Sequence, residues 1–286
     1  MKTWFITGAA RGFGGRVAER ALTRGDQVVA TDRDTAAMRE RLGEHPRLLA
    51  LALDVARGEQ VQPTVAEAIA RFGRIDVLLN SAGYGLLGAI EEATAMEVEA
   101  IYRTNVFGLL DVTRAVLPHM RARRAGRILN ISSVGGYRGA AGWGVYCSTK
   151  FAVEGLSEAL HQELAPLGIH VTVIEPAAFR TDFLDPSSLA VSAELIADYA
   201  ATVGTARRRA VALNHRQPGD PDRLAEILIA LAELEDPPLR LPLGSDAVAA
   251  VEAKHAADSA ILERWRAVAV SADFDRSPRA TPEATR

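Results

Sequence analysis

The sequence predicts an α/β fold with a doubly wound parallel sheet and helices on both faces. Three observations carry this reading. Short runs rich in Val, Ile and Leu alternate with amphipathic helical patterns up to about residue 176, and repeated β-α units imply a parallel sheet covered on both sides. A glycine-rich turn, TGAARGFG, stands between the first strand and the first helix. The chain is also long enough, at 286 residues with 48% hydrophobic, to bury about three quarters of its unfolded surface. It therefore needs neither disulfide nor metal to hold a core.

Each element follows from local pattern. Strands are expected over residues 3–7, 27–31, 47–55, 75–80, 127–132 and 170–175, each apolar on at least one face. Between them, helices are expected over 14–24, 35–42, 59–72, 93–120 and 146–165, with Gly25, Gly73 and Gly168 at or near helix ends. After Pro176 the rhythm changes, and residues 177–214 read as loop and short helix next to the substrate. Asp220 followed by Pro221 is an N-cap signal opening a helix to about Glu235. Residues 239–243 suit an edge strand because Pro242 lacks a ladder donor. A last helix from Ser245 carries Val248, Val251, Ile261, Leu262 and Trp265, and the polar stretch 271–286 reads as a frayed tail. Without repeats or a low-complexity linker, residues 1–270 are expected to form a single domain.

The glycine turn carries the first chemistry. Gly8, Gly12 and Gly14, with Arg11 and Phe13 between them, end one strand and start one helix. Glycine lets a pyrophosphate approach the backbone, and the helix N-terminus supplies N–H donors and a positive dipole. Asp32 closes the second strand 18 residues beyond Gly14, where an acid binds a ribose 2′-hydroxyl and repels a 2′-phosphate. That is the arrangement of a Rossmann-like dinucleotide site and favours NAD. Arg33 and Arg11 keep NADP open as the alternative, since either guanidinium suits a 2′-phosphate.

Ser133, Tyr146 and Lys150 are the second constellation. Tyr146 and Lys150 lie one turn apart on one helix face, and Ser133 ends a strand at the carboxyl edge of the sheet, where open α/β folds place ligands. Together with the glycine turn, NSAG from Asn80, Asn105 in NVFG, NISS ending at Ser133, YCSTK from Tyr146 and the segment from Pro176 to Thr181, they resemble the short-chain dehydrogenase/reductase family in its compact single-domain branch. The resemblance covers residues 2–182 in order and spacing. It implies hydride transfer between a nicotinamide and a carbinol carbon, with Tyr146 as acid/base. Lys150 and the positive nicotinamide would favour the phenolate, and Lys150 would hold the ribose. Ser133 would bind the substrate oxygen, and Asn105 would support a water chain from Lys150. For the cofactor it further implies Asp54 and Val55 at the adenine, Asn80, Ala82 and Gly83 in a segment that stabilises the sheet and approaches the cofactor, with Asn80 partly structural, Pro176 at the cofactor, and Thr181 at the nicotinamide carboxamide or the diphosphate. Ala177 in place of the usual Gly, and NSAG in place of NNAG, are mild departures.

Tyr84, Val134, Trp143, Phe179, Phe183 and Leu184, from loops beside these residues, are the candidate substrate pocket. They are largely apolar and point to a hydrophobic ketone or aldehyde and its alcohol. With 33 basic against 36 acidic residues, net −3, the chain lacks the basic excess of a nucleic-acid binder. No apolar run approaches the ~18 residues of a membrane span, and Cys147 is the single cysteine. Together these suggest a cytoplasmic enzyme. The family resemblance implies a homodimer or homotetramer through the long helices, and no metal is called for. An inactive nucleotide-sensing protein of the same fold is the alternative, although a sensor has no need of Ser133, Tyr146 and Lys150.

Overall fold

The structure is a computed structural model that describes residues 1–274. Seven strands, β1 (Thr3–Thr7), β2 (Gln27–Asp32), β3 (Leu48–Ala52), β4 (Val77–Asn80), β6 (Gly126–Ile131), β7 (Ile169–Pro176) and β9 (Arg240–Leu243), form one parallel sheet. Their order is β3-β2-β1-β4-β6-β7-β9. The chain winds outward from β1 to β3, then crosses back to β4 and winds the other way. The reversal beside β1 is the switch point at which a crevice opens beyond the carboxyl ends of the strands. Two three-residue strands, β5 (Gly85–Leu87) and β8 (Leu189–Val191), pair separately.

Period two along the strands sorts the core into two layers. Trp4 and Ile6 point to one face, against Val17, Ala18 and Ala21 of α1 (Gly12–Thr23), Met38 of α2 (Thr35–Leu42) and Leu224 and Leu228 of α8 (Pro221–Leu231). Phe5 and Val29 point to the other. They meet Val61 and Val65 of α3 (Gly58–Phe72), Val112 and Val116 of α5 (Leu109–Arg123) and Leu164 of α6 (Gly144–Leu164).

The stretch expected as one helix over 93–120 is subdivided. Thr94 caps α4 (Ala95–Tyr102) in a reciprocal capping box with Glu97, and residues Arg103–Gly108 are π-helical before α5 begins. Asn105 lies inside that widened turn, a device that re-aims side chains. Asp220 caps α8 through the amides of Asp222 and Arg223, with Pro221 in the first turn, and the helix ends at Leu231 rather than Glu235. The region 177–214 is more ordered than its composition suggests, since it holds β8 and the eleven-residue α7 (Val203–Leu213). On α9 (Ser245–Val270) only Ala247 and Ala250 are buried. Val248, Ile261, Leu262 and Trp265 are exposed, so their periodicity does not mark a core face. The expected tail lies largely outside the described residues, from position 275 onward.

Candidate active site

Loops at the carboxyl ends of β1, β2, β4, β6 and β7 enclose a cleft of about 1050 Å³. On its dinucleotide side, Gly8 and Gly12 adopt φ of 70° and 56°. A Cβ at Gly8 would lie 2.9 Å from the Ala82 amide nitrogen, whereas one at Gly12 would meet nothing within 4 Å, so the Gly12 turn faces open space. Arg11, the N-cap of α1, makes no side-chain cap bond, which leaves first-turn N–H groups free for an anion. Arg11 and Phe13 also line the cleft. Gly14 does not; its Cβ would fall 2.3 Å from the Gly8 carbonyl oxygen, so this glycine lets the helix seat on the turn. Asp32 accepts from the Ala10 and Asp34 amides, which fixes its carboxylate at the cleft wall beside Arg33, Asp54 and Val55. These residues fit a dinucleotide. Open donors sit at the helix end, and an anchored acid sits where a ribose would lie.

Tyr146 and Lys150 enter the same cleft from α6. Tyr146 is buried among Trp143 and Phe183, with ring centroids at 5.8 Å and 5.5 Å. Burial pushes its phenol well above the ordinary value, opposed by a hydrogen bond with Ser133. The ammonium of Lys150 lies 5.8 Å from the Tyr146 ring, and burial outweighs the lowering that the sequence predicts for the phenol. Lys150 is 6% exposed, and burial brings it down to about 8 against the pull of Glu154. Its Nζ donates to the Ile131 carbonyl at 2.9 Å, which holds it beneath the end of β6. Ser133 Oγ accepts from the Gly135 amide at 3.0 Å, leaving the hydroxyl hydrogen to donate toward the cleft. Cys147 is buried and burial pushes its thiol up, so it stays protonated.

Two residues expected at the cofactor or proton relay turn away from the cleft. Asn80 Nδ2 donates to Thr113 Oγ1 at 3.0 Å and to Asn130 Oδ1 at 2.9 Å, stitching β4 to α5 and β6. Asn105 is 1% exposed. Its Oδ1 accepts from the Tyr84 amide at 3.1 Å, and its Nδ2 donates to the Tyr84 carbonyl at 2.9 Å and to Thr149 Oγ1 at 3.2 Å. It therefore clamps the segment after β4 to α6. Ala82, Gly83, Tyr84, Pro176 and Thr181 line the cleft, as do Val134, Trp143, Phe179, Phe183 and Leu184. Phe179 packs edge-on against Phe13 at 5.5 Å, between the two halves of the site.

Sequence reasoning missed the far wall. Thr202, Thr205, Ala206, Arg209, Ala210 and Leu213 all line the cleft, and their three- and four-residue spacing is one face of α7. Arg138 and Gln217 join them. Glu92, buried before α4, accepts from Arg207 of α7 at 2.7 Å and from the Ala89 and Ile196 amides. These bonds, Arg207 first, hold its carboxyl down at about 2. Asp182, Asp185 and His215 bring ligand atoms within 4.8 Å of one another. The contacts of Asp185 with His215 at 3.1 Å and Asn214 at 2.5 Å account for that grouping as a link between the loop and the end of α7.

The profile described as short chain dehydrogenase matches residues 2–191. Oxidoreductase BOA17 of Botryotinia fuckeliana is 38% identical over 94% of this chain and 98% of its own length. A 3-ketodihydrosphingosine reductase of Bacteroides thetaiotaomicron is 36% identical over 84% and 86%. Among solved structures, a short-chain dehydrogenase from Streptomyces avermitilis superposes with a TM-score of 0.89 at 41% identity, covering 96% of this chain and all of that one. Two cofactor complexes are also similar. One is a serine dehydrogenase with NADP+ (28% identity, TM-score 0.70, 84% and 94% covered). The other is the 3-ketoacyl-(acyl-carrier-protein) reductase of Brucella melitensis with NADH (29%, 0.71, 85% and 96%). With its parallel sheet, glycine turn and Ser133, Tyr146 and Lys150 in one cleft, the chain belongs to the short-chain dehydrogenase family and is an NAD(P)-dependent oxidoreductase of CH–OH groups.

Proposed function

We propose that the protein interconverts a hydrophobic ketone or aldehyde and the corresponding alcohol, with NAD(H) as the preferred dinucleotide. The observation that carries the substrate class is the aromatic surround of Tyr146, formed by Trp143 and Phe183 at the cleft wall. The reductase of Bacteroides thetaiotaomicron and the Brucella melitensis enzyme, both named for keto substrates, are consistent with it. Asp32 supports NAD, because a carboxylate anchored by two amides repels a 2′-phosphate.

When bound, the dinucleotide supplies or accepts the hydride at its nicotinamide. The first turn of α1 and Gly12 would hold its diphosphate, Asp32 its adenosine ribose, and Lys150 the ribose next to the nicotinamide. Ser133 donates a hydrogen bond to the substrate oxygen and stabilises the charge that develops there. Tyr146 Oη gives its proton to that oxygen in reduction and takes it back in oxidation. Asn105 keeps Gly83 and Tyr84 in place beside Lys150. Apolar side chains around Tyr146 exclude water from the transfer. A purely nucleotide-sensing role has no feature of the site in its favour.

Among the described residues no helix is long and apolar enough to cross a membrane; a cytoplasmic location is part of this proposal, as is a homodimer or homotetramer. Exposed Met96, Phe107 and Phe151 on α4, the π turn and α6 support the latter, and light scattering would give the mass. The test of function is a panel of apolar ketones and alcohols with NADH and NADPH, run on wild type, Tyr146→Phe and Asp32→Ala. Tyr146→Phe loses turnover but still binds NADH, and Asp32→Ala loses preference for NADH. Near-normal turnover by Tyr146→Phe would overturn the proton-donor role, and a strong wild-type preference for NADPH would overturn the reading of Asp32.

A further inference from the structure

One turn beyond Lys150, α6 carries an ionisable residue that the reaction scheme leaves unused. Glu154 is 3% exposed and Glu175, next to the end of β7, is 1% exposed. Both face one nitrogen of Arg240 on β9, at 2.7 Å and 3.0 Å, while its other nitrogen lies 2.8 Å from the half-exposed Glu158. A single guanidinium therefore serves three carboxylates, two of them buried. Both oxygens of Glu154 and Oε2 of Glu175 lack a well-formed hydrogen bond. Two adjacent buried carboxyls with half a cation each do not both ionise readily; they share a proton.

The cluster lies directly behind the catalytic groups. A Cβ at Gly136, in the turn that follows Ser133, would lie 2.6 Å from Ser132 Oγ and 3.0 Å from Glu154 Oε1, so the carboxyl packs under that turn. Positions 150 and 154 are helical neighbours on one face. Burial raises Glu154 well above the usual carboxylate range, with Ser132 and Arg240 pulling down and Glu175 pushing up. Glu175 is also raised, chiefly by burial.

We propose that Glu154 is a positioning residue for proton transfer: it shares one proton with Glu175, and its ionisation supplies the negative charge that keeps Lys150 an ammonium while Tyr146 exchanges its proton. This rests on the roles given above to Tyr146 and Lys150. Burial disfavours the charged form of Lys150, and a charge on Glu154, one helical turn away, opposes that. Other groups facing the pair are Ser132, Glu158 on α6 and Arg240 on β9, which itself lies 5.4 Å from the Tyr137 ring. His255 of α9, in contact with Tyr137, lowers Glu175.

The experiment is the pH profile of kcat/KM for reduction of a neutral ketone by wild type, Glu154→Gln, Glu158→Gln and Tyr146→Phe, with fold and NADH binding checked for each. In Glu154→Gln the alkaline limb moves down by about one pH unit, the order expected for losing a unit charge near a partly buried ammonium. Glu158→Gln, which changes only an exposed partner of Arg240, keeps the wild-type limb. An unmoved limb in folded Glu154→Gln overturns the proposal, and so does an equal shift in Glu158→Gln. Turnover by Tyr146→Phe overturns instead the proton-donor role beneath it, so the two failures are distinguishable. Carboxyl carbon NMR of wild type, labelled at glutamate, gives a readout free of turnover and of variant folding. One buried glutamate titrating above pH 6 is expected, and none doing so overturns the shared proton.

Discussion

Replacing Asn105 by Ala separates a structural clamp from a proton relay. The substitution removes hydrogen bonds to the Tyr84 amide, the Tyr84 carbonyl and Thr149 Oγ1 at a position 1% exposed. Each buried hydrogen bond contributes about 1 kcal/mol net, and a partner left unsatisfied costs about 1 to 3 kcal/mol. Thr149 can still donate to the Tyr146 carbonyl at 2.7 Å, so the heavier cost falls on the backbone of Tyr84. The sum is about 3 to 4 kcal/mol. At about 2 to 4 °C per kcal/mol for chains of this order of size, Tm falls by about 6 to 16 °C. Differential scanning fluorimetry measures that directly, and NADH titration reports whether the Gly83–Tyr84 wall has moved. If Asn105 served the relay alone, turnover would collapse while Tm stayed within about 2 °C of wild type, and that result would refute the clamp.

Gly14→Ala puts a Cβ 2.3 Å from the Gly8 carbonyl oxygen, which is backbone and does not yield. We expect loss of NADH binding with a lower Tm, and calorimetric titration checks it. Glu92→Gln removes the anchor of α7. Because Arg207 holds that carboxyl at about 2, below the usual range, its stabilisation is present above the ordinary carboxylate pKa and is lost as pH falls through about 2. At neutral pH, then, the variant lowers Tm and raises KM for ketones more than KM for NADH; equal KM values in variant and wild type would count against α7 as the pocket wall. Trp143→Ala opens the aromatic surround of Tyr146, and bulkier ketones gain in kcat/KM relative to small ones across a substrate series.

Much of the fold is legible in the sequence. The bounds of β1 and α2 agree with their patterns, and Asp220 with Pro221 opens α8 as capping chemistry requires. Ser133, Tyr146 and Lys150 meet because strand ends and helix starts of a parallel sheet converge on one edge. Three-residue strands such as β5 and β8 leave no periodicity to read. The π turn at 103–108 is invisible because its composition is that of an ordinary helix. Long-range pairings such as Glu92 with Arg207 are beyond local pattern altogether.

The sequence by itself determined the α/β class, the glycine turn and the trio Ser133, Tyr146 and Lys150 that lines one cleft, since each depends on residue type at short spacing along the chain. Only the tertiary structure decided that Asn80 stitches the sheet and Asn105 clamps Tyr84, that α7 walls the cleft, and that Glu154 and Glu175 crowd one arginine behind Lys150. The physical reason is that hydrogen bonding, burial and charge sharing are properties of neighbours in space. Those neighbours lie far apart in the chain: 21 residues separate Tyr84 from Asn105 and 115 separate Glu92 from Arg207.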